Sequence, residues 1–372
     1  MIHFLSKAKK EALHGTAVLR LDFNTESDWR MAAALPTIRF LSKNSRKIII
    51  MSHRGRPDGF ERALSLRKDG VNLQKLQRRK IIFIPHFRFP EIKNVIANAP
   101  TNSMFLLENL RFLKGEGRND RLLAKKLALL GDFYVNEAFA VSHRKNASLA
   151  AITEFLPSYA GLELEREILF LYHTIKNPEK PLVIILGGAK ADDKLGVLKF
   201  FRNKADWFLL GGAPANTLLS LRGMDVGRSL VDPDQQDVQE LRQVIGYKNI
   251  ILPIDCISEK RAILDIGKKA EKSFLSKIRN ARTVIWSGPL GAVERQKFSH
   301  GTLAIARGIA RNKHTFSVAG GGETVTFLKQ HHLDTKFSFI STGGGAMLAF
   351  LAGEKLPGIE ALKKNRANRP IA

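Results

Sequence analysis

Short apolar runs that lack polar alternation and end abruptly at glycine recur through the second half of this 372-residue chain. The clearest is Pro181 to Lys194, PLVIILGGAKADDK, where Val183, Ile184, Ile185 and Leu186 run straight into Gly187 and Gly188, with Lys190 and Lys194 just beyond. A run with no polar face suits a strand covered on both sides, as in a parallel sheet under helices. Ligands of such sheets bind outside the carboxyl ends of the strands, where glycine lets backbone N–H groups approach phosphate. The device recurs at 208–210 before Gly211 and Gly212, and at 284–286 before Gly288, Pro289 and Gly291. It appears again at 316–319 before Gly320, Gly321 and Gly322, and at 337–340 before Gly343, Gly344 and Gly345. One glycine turn means little, because turns need glycine for backbone reasons alone. Five at corresponding places predict a bare-backbone surface for a flat, phosphorylated ligand.

The first half carries the same strand rhythm with different exits. Ala17 to Asn24 reads as a strand ending in Asp22 and Asn24, and Lys47 to Met51 as a buried strand leaving into His53, Arg54 and Arg56. Further strands at 81–85, 104–107 and 133–135 lead toward Arg111, Asn136, His143 and Arg144. Helical spacing at 30–43 and 121–130 separates them, which argues for parallel βαβ units. Arg30, His53, Arg56, Arg111 and Arg144 would then gather at one sheet edge. Arginine forks match carboxylate and phosphate oxygens, and several held together need an anion between them. Leu156 to Lys176 has helical periodicity after Pro157 and Gly161 and reads as a connector. The expected organisation is a first domain over 1–157, a connecting helix over 158–176 and a second domain over 177–356.

Composition limits the alternatives. At this length one core stops growing, so two domains are expected. No apolar run approaches the roughly 18 residues of a membrane span, and the opening MIHFLSKAKKEALHG lacks a signal-peptide core. One cysteine, Cys256, leaves no intramolecular disulfide and fits a reducing cytoplasm. Sixty basic against 35 acidic residues give a net charge of +25, a field that attracts anions of any size. No GxxxxGK[ST], HRD, DFG or GxGxxG motif is present, so P-loop kinases, protein kinases and dinucleotide enzymes are not supported.

The chain resembles phosphoglycerate kinases through nine segments in family order: LDFN at 21–24, RMAAALPTI at 30–38, MSHRGRP at 51–57, LLENLRF at 106–112, YVNEAFAVSHRKNAS at 134–148, ILGGAKADDK at 185–194, WSGPLGAVE at 286–294, GGGET at 320–324 and ISTGGGA at 340–346. The resemblance implies an α/β protein of two doubly wound, Rossmann-like parallel-sheet domains around a hinge cleft, with residues 357–372 packing back on the first. It implies reversible phosphoryl transfer between 1,3-bisphosphoglycerate with MgADP and 3-phosphoglycerate with MgATP, by a cytoplasmic monomer. Matched residue by residue, Asp22, Asn24, Arg30, His53, Arg56, Arg111 and Arg144 would hold the glycerate substrate. Lys190, Lys194, Gly211, Gly212, Pro289, Glu294, Gly320, Gly321, Gly322, Glu323 and Thr324 would serve the nucleotide, with Glu323 meeting its Mg2+. Arg30, Lys190 and the amides of Gly321, Gly322, Gly344 and Gly345 would act on the moving phosphoryl group.

The sequence departs from the family pattern at several of these places. Glu323 stands for aspartate, Ser287 for asparagine, Ala213 for the third glycine of a triplet and Ile263 for a glycine of the adenine pocket. Val141, Lys145 and Asn146 stand for threonine, alanine and histidine. A competing expectation is a fold of this kind that uses its charge to bind RNA or another polyanion. The intact transfer set ranks the enzyme ahead of it.

Overall fold

The computed structural model describes residues 1–25, 28–232 and 234–364. The chain divides into two compact units: residues 1–169 together with the chain from Lys355 onward, and residues 170–354. The division falls inside the helix Leu162–Lys176.

The first unit is built on strands β1 (Thr16–Arg20), β2 (Lys47–Met51), β3 (Ile82–Ile84), β4 (Met104–Leu107), β5 (Phe133–Asn136) and β6 (Ser158–Ala160). Their order is β3-β4-β2-β1-β5-β6, and every pairing is parallel. From β1 the chain winds outward to one side and later returns to add β5 and β6 on the other. The strand order therefore reverses beside β1, and a crevice opens there at the strand ends. Helix Trp29–Asn44 covers one face, burying Met31, Ala34, Ile38 and Leu41 at helical spacing against Ala17, Leu19, Ile48 and Ile50.

β1 stops at Arg20, short of the expected Asn24. Beyond it the ladder gives way to other bonds: Leu21 N–H donates to Met51 O (2.9 Å), and Phe23 N–H donates to the Ser52 hydroxyl (3.0 Å). This frees Asp22 and Asn24 from the sheet. β6 lies inside the stretch expected to be helical from 158. Three residues are too few to display a strand period, and the helix begins only at Leu162.

The second unit contains β7 (Leu182–Leu186), β8 (Trp207–Leu210), β9 (Ile250–Ile251), the strands β10 (Cys256–Glu259) and β11 (Ala262–Ile266), and then β12 (Thr283–Ser287), β13 (Phe316–Gly320) and β14 (Phe339–Ile340). Its main sheet is parallel in the order β14-β13-β12-β7-β8-β9, so the order reverses beside β7. β10 and β11 form a separate antiparallel hairpin that the sequence did not announce. Its two-residue turn uses Lys260 (φ 48) and Arg261 (φ 64), where such turns usually carry Asn-Gly or Asp-Gly. Helices Lys268–Arg279 and His300–Arg311 pack on one another and on the sheet through Ala270, Phe274, Ile278, Ile305 and Ile309.

Among the described residues beyond 354, Leu356, Ile359 and Leu362 of the segment around helix Pro357–Lys363 are buried. This helix belongs to the first unit. Gly358 N–H donates to Ser142 O (2.8 Å), and the Thr153 hydroxyl reaches Ala361 O (3.4 Å). Residues 365–372 lie outside the described residues.

Glu137, one residue past β5, is a buried junction of the first unit. Its carboxyl accepts the Thr37 hydroxyl of helix Trp29–Asn44 and the N–H groups of Glu163 and Leu164, both at 3.1 Å. Leu162 N–H in turn donates to the Thr37 hydroxyl (2.9 Å). Three otherwise unpartnered donors at a helix start are thereby met by two side chains from distant sequence. Burial pushes the Glu137 carboxyl up to about 7, against the pull of the Thr37 hydroxyl and the two backbone N–H groups. A folded chain therefore keeps a proton that an unfolded chain releases above its ordinary value of 4.5. The site's contribution to stability is complete below that value and is lost as pH rises through about 7, by up to about 3 kcal/mol. Urea unfolding of wild type and Glu137→Gln at pH 5 and pH 7.5 should show the difference moving in favour of the variant at the higher pH. An unchanged difference would contradict a protonated native Glu137.

Candidate functional site

In the first unit the reversal beside β1 brings the basic residues together. Arg20, the last residue of β1, is 1% exposed, and a guanidinium at such depth must have its donors met. Its Nε donates to the Ser148 hydroxyl (2.9 Å), one terminal nitrogen donates to Leu21 O, and the other reaches His53 Nδ1 (3.1 Å). Ser148 is held by Glu116, which accepts from the Ser148 N–H (3.0 Å) and hydroxyl (2.6 Å) and lies 3.9 Å from Arg20. Arg20 and Glu116 are both buried, so the charge is balanced inside the fold.

This arrangement determines the state of His53. Arg20 has only hydrogens to offer, so Nδ1 must accept and the ring proton sits on Nε2. Burial holds the His53 pKa well below its ordinary value, and Arg20, Arg111, Arg144 and Arg30 add to the effect. The ring is thus a neutral donor. Its Nε2 is buried and has no partner, as are Arg30 Nε, Arg111 Nε and Asn136 Nδ2. Buried donors normally find acceptors, so four empty ones at the ends of neighbouring strands mark a place for an acceptor-rich ligand.

Arg30, at the start of helix Trp29–Asn44, donates to Asp22 Oδ2 (2.8 Å), and Asp22 Oδ1 accepts from Asn24 N–H (3.1 Å). Asn24 Oδ1 accepts from Gly55 N–H (2.8 Å), which ties the β1 and β2 exits together. Arg56, Arg111 and Arg144 have no carboxylate within 4.0 Å among the described residues. Arg111 is pulled below its ordinary value by burial and by Arg144, and Arg144 by burial and by Arg56. These cations repel one another, and an anion among them would relieve it. Arg54 is different: it forks onto Asp69, with Nε 3.2 Å from Oδ2, and braces the loop. Of the residues that hold this site, Arg20, Glu116 and Ser148 were not singled out from the sequence. An arginine inside the apolar run AVLRL was the available signal.

The second unit presents backbone. The β7 and β12 turns lie against each other, with Gly188 N–H donating to Pro289 O (2.7 Å). A Cβ on Gly187 would stand 2.1 Å from that same oxygen, so glycine is required there for close packing. Gly211 and Gly320 likewise pack against Leu290 and Met347. At these two positions glycine is required by the packing of the fold itself. Gly321 (φ 94) turns the chain into helix Gly322–Gln330, and no side chain caps the start of that helix or of Gly345–Leu351. A Cβ at Gly322 or Gly345 would meet nothing within 4 Å.

These helix starts line a cavity of about 320 Å³ with Lys190, Lys194, Ser287, Glu323, Thr324 and Gly344. The Thr324 hydroxyl accepts from Gly288 N–H (3.0 Å) and joins two of the turns. A neighbouring cavity of about 230 Å³ shares Gly188, Ala189 and Glu323, and has apolar walls from Ala213, Leu230, Ile263, Pro289 and Leu290. Gly212, Asp265 and Glu294 also line it. One chamber offers cations and free N–H groups, and the other an apolar slot.

Residues 11–354 match the profile of the family described as phosphoglycerate kinase. The chain belongs to the phosphoglycerate kinase family. It is 40% identical to the phosphoglycerate kinase of Pseudothermotoga lettingae, over 93% of this chain and 95% of that one. With the phosphoglycerate kinase of Dictyoglomus turgidum it shares 38% identity over 95% and 97% of the two chains. Among solved structures, the phosphoglycerate kinase of Pyrococcus horikoshii superposes with a TM-score of 0.86 at 30% identity, covering 97% of this chain and 98% of that one. The enzyme from Coxiella burnetii superposes at 0.81 with 31% identity over 98% and 99%.

Four of the positions at which this chain departs from the phosphoglycerate kinase pattern line the two cavities, whereas Val141, Lys145 and Asn146 belong to the first unit. Ala213 and Ile263 line the apolar slot, Ser287 lines the cationic chamber, and Glu323 lines both. In the first unit the donors that lack partners are unaltered. The His53 assignment is testable by NMR: its ring nitrogens should show the Nε2–H tautomer and no titration near 6.5, and replacing Arg20 by Met should move the transition upward. A normal wild-type titration would contradict the neutral-donor arrangement.

Proposed function

We infer that this chain works as a phosphoglycerate kinase, moving a phosphoryl group between the acyl phosphate of 1,3-bisphosphoglycerate and ADP. The observation that carries this reading is the division of labour between the units. One holds buried side-chain donors without acceptors, suited to a small multiply charged acid. The other holds an apolar slot beside a chamber of lysines and helix starts, suited to a nucleoside and its phosphates.

In the direction of ATP use, a carboxylate oxygen of 3-phosphoglycerate attacks the terminal phosphorus of ATP as the bond to the bridging oxygen breaks. ADP departs with that electron pair, so no enzyme-bound intermediate is needed. Catalysis then consists of positioning and of neutralising charge on the transferred group. His53, Arg56, Arg111 and Arg144, with Asp22 and Asn24 shaping the loop, hold the acid. Asp22 also aims Arg30, whose free Nε is available to the moving group. Lys190 and the N–H groups at Gly321, Gly322, Gly344 and Gly345 supply the balancing donors on the nucleotide side, with Lys194, Gly212, Pro289, Glu294 and Thr324 around them. Gly211 and Gly320 support this surface through packing.

The metal fits as a passenger of the nucleotide. Among the described residues no group of three or more histidine, cysteine or carboxylate side chains could hold an ion by itself. Glu323, exposed at the start of helix Gly322–Gln330, is the carboxylate shared by both cavities. That suits Mg2+, which keeps waters and takes one or two carboxylates plus phosphate oxygens. When bound, the ion neutralises phosphate charge. No helix of the described residues is long and apolar enough to cross a membrane. The reading places the enzyme in the cytoplasm as a monomer.

A coupled assay with 3-phosphoglycerate and MgATP tests the activity, and absence of turnover would refute it. Arg30→Ala and Lys190→Ala should each lower kcat and kcat/KM together, by about 10²–10³, as loss of a transition-state donor does. Unchanged turnover would remove that residue from the catalytic set. Glu323→Ala should raise the Mg2+ concentration needed for half-maximal MgADP binding, measured by calorimetry, while Glu323→Asp stays near wild type. Identical metal dependence in all three proteins would exclude Glu323 from the metal site.

A further inference from the structure

The second unit has a basic edge that the reaction does not use. In a parallel sheet the strands start along one edge and end along the other, and the cavities described above lie at the ending edge. Every strand of this sheet has a lysine or arginine within the three residues before its start. In spatial order from β14 to β9 these are Lys336, Lys313, Arg282, Lys180, Lys204 and Lys248, and all six are exposed. With strands about 4.8 Å apart, the row runs roughly 24 Å. The sheet of the first unit lacks it, since β1, β4, β5 and β6 have no lysine or arginine in the three residues before them.

Part of the unit's charge excess lies at this edge, where Lys277, Arg279, Arg282, Arg311 and Lys313 fall at helix ends or in the turns before β12 and β13. Residues 268–313 hold eleven lysines and arginines against two glutamates, whereas the rest of 170–354 holds fifteen of each sign. The helices Lys268–Arg279 and His300–Arg311 deliver their last-turn arginines, Arg279 and Arg311, to the same edge. A favourable helix dipole accounts for those two cations. It does not account for cations in the turns before β7, β8, β9 and β14. The facing carboxylates are few: Asp206, 3.7 Å from Lys180 Nζ, Glu179, and Asp334, which Lys329 engages at 3.0 Å.

Aromatic rings interleave with the cations. Lys204 Nζ sits 3.7 Å from the centre of the Phe200 ring, Lys277 Nζ 3.9 Å from that of Trp207, and Arg202 Cζ 4.4 Å from that of Tyr247. All three rings are half-buried, and they belong to residues at or before the starts of β8 and β9. Alternating cations and half-buried aromatic rings are what a single strand of nucleic acid uses, with phosphates along the charges and unpaired bases stacking on rings from which the cations swing toward phosphate. A duplex keeps its base faces hidden and would use only the charge.

We propose that the strand-start edge of the second unit, from Lys336 to Lys248, is a binding strip for single-stranded nucleic acid, on the opposite edge of the sheet from the nucleotide cavities.

The test uses the full chain and a fluorescein-labelled single-stranded 20-nucleotide RNA of mixed sequence, followed by anisotropy at several salt concentrations. The triple variant Lys204→Glu, Arg282→Glu and Lys313→Glu should bind at least about tenfold more weakly, with the log–log salt slope shallower by about 2. A control triple variant with the same charge change on the first unit, Lys43→Glu, Lys93→Glu and Lys125→Glu, should stay within about threefold of wild type. Both should retain kinase turnover, and saturating MgATP should leave RNA bound. Trp207→Ala should weaken the single strand and leave a duplex of equal length unaffected. Four results would overturn the proposal: no binding at low salt, equal losses in the two triple variants, displacement by MgATP, or duplex binding as tight as single-strand binding.

Discussion

All strands within each main sheet run the same way, and this common direction is the constraint that creates both sites. Parallel strands leave the sheet together, so the side chains and turns at their exits are neighbours without any further design. Where the order of winding reverses, beside β1 in one unit and β7 in the other, adjacent exits diverge and leave room for a ligand. The same architecture thus yields two different surfaces, depending only on what the sequence places after each strand.

The two surfaces differ in kind. In the first unit the unpartnered donors are side chains, and holding them requires support from within the core. Glu116 steadies Ser148, Ser148 and Glu116 steady Arg20, and Arg20 determines which nitrogen of His53 carries the proton. All four residues are buried, and the chain of contacts leaves His53 Nε2 aimed without being satisfied. In the second unit uncapped helix starts present main-chain N–H groups, which need no rotamer to be fixed. Precision there comes from turn against turn, as where Gly188 meets Pro289 and Thr324 meets Gly288.

Much of this could be read from residue order, because buried strands such as KIIIM and VIIL have no polar face and their exits are sharply polar or glycine-rich. The residues that evaded such reading acted through partners remote in sequence. Glu116 meets Ser148 across 32 positions and Glu137 meets Thr37 across 100, and no local pattern records either. Short elements were equally silent: β6 has three residues, β9 has two, and the hairpin turn at Lys260 and Arg261 carries the wrong residue types for its shape. The glycine pattern conveyed position correctly and purpose only in part. Gly322 and Gly345 face open space, whereas Gly187, Gly211 and Gly320 are small because a neighbour is pressed against them.

Helix Pro357–Lys363 packs on the first unit although the whole of the second unit precedes it in the chain. During synthesis the sheet from β1 to β6 is complete long before Leu356, Ile359 and Leu362 emerge. The surface that receives them stays open to water while about 185 further residues are made, at a ribosomal pace of about 5–20 residues per second. Gly358 then joins Ser142, two positions before Arg144, so the loop bearing that arginine gains its last support late. An early-released nascent fragment would carry a formed sheet and an unsupported Arg144 loop, with exposed apolar surface of the kind chaperones recognise.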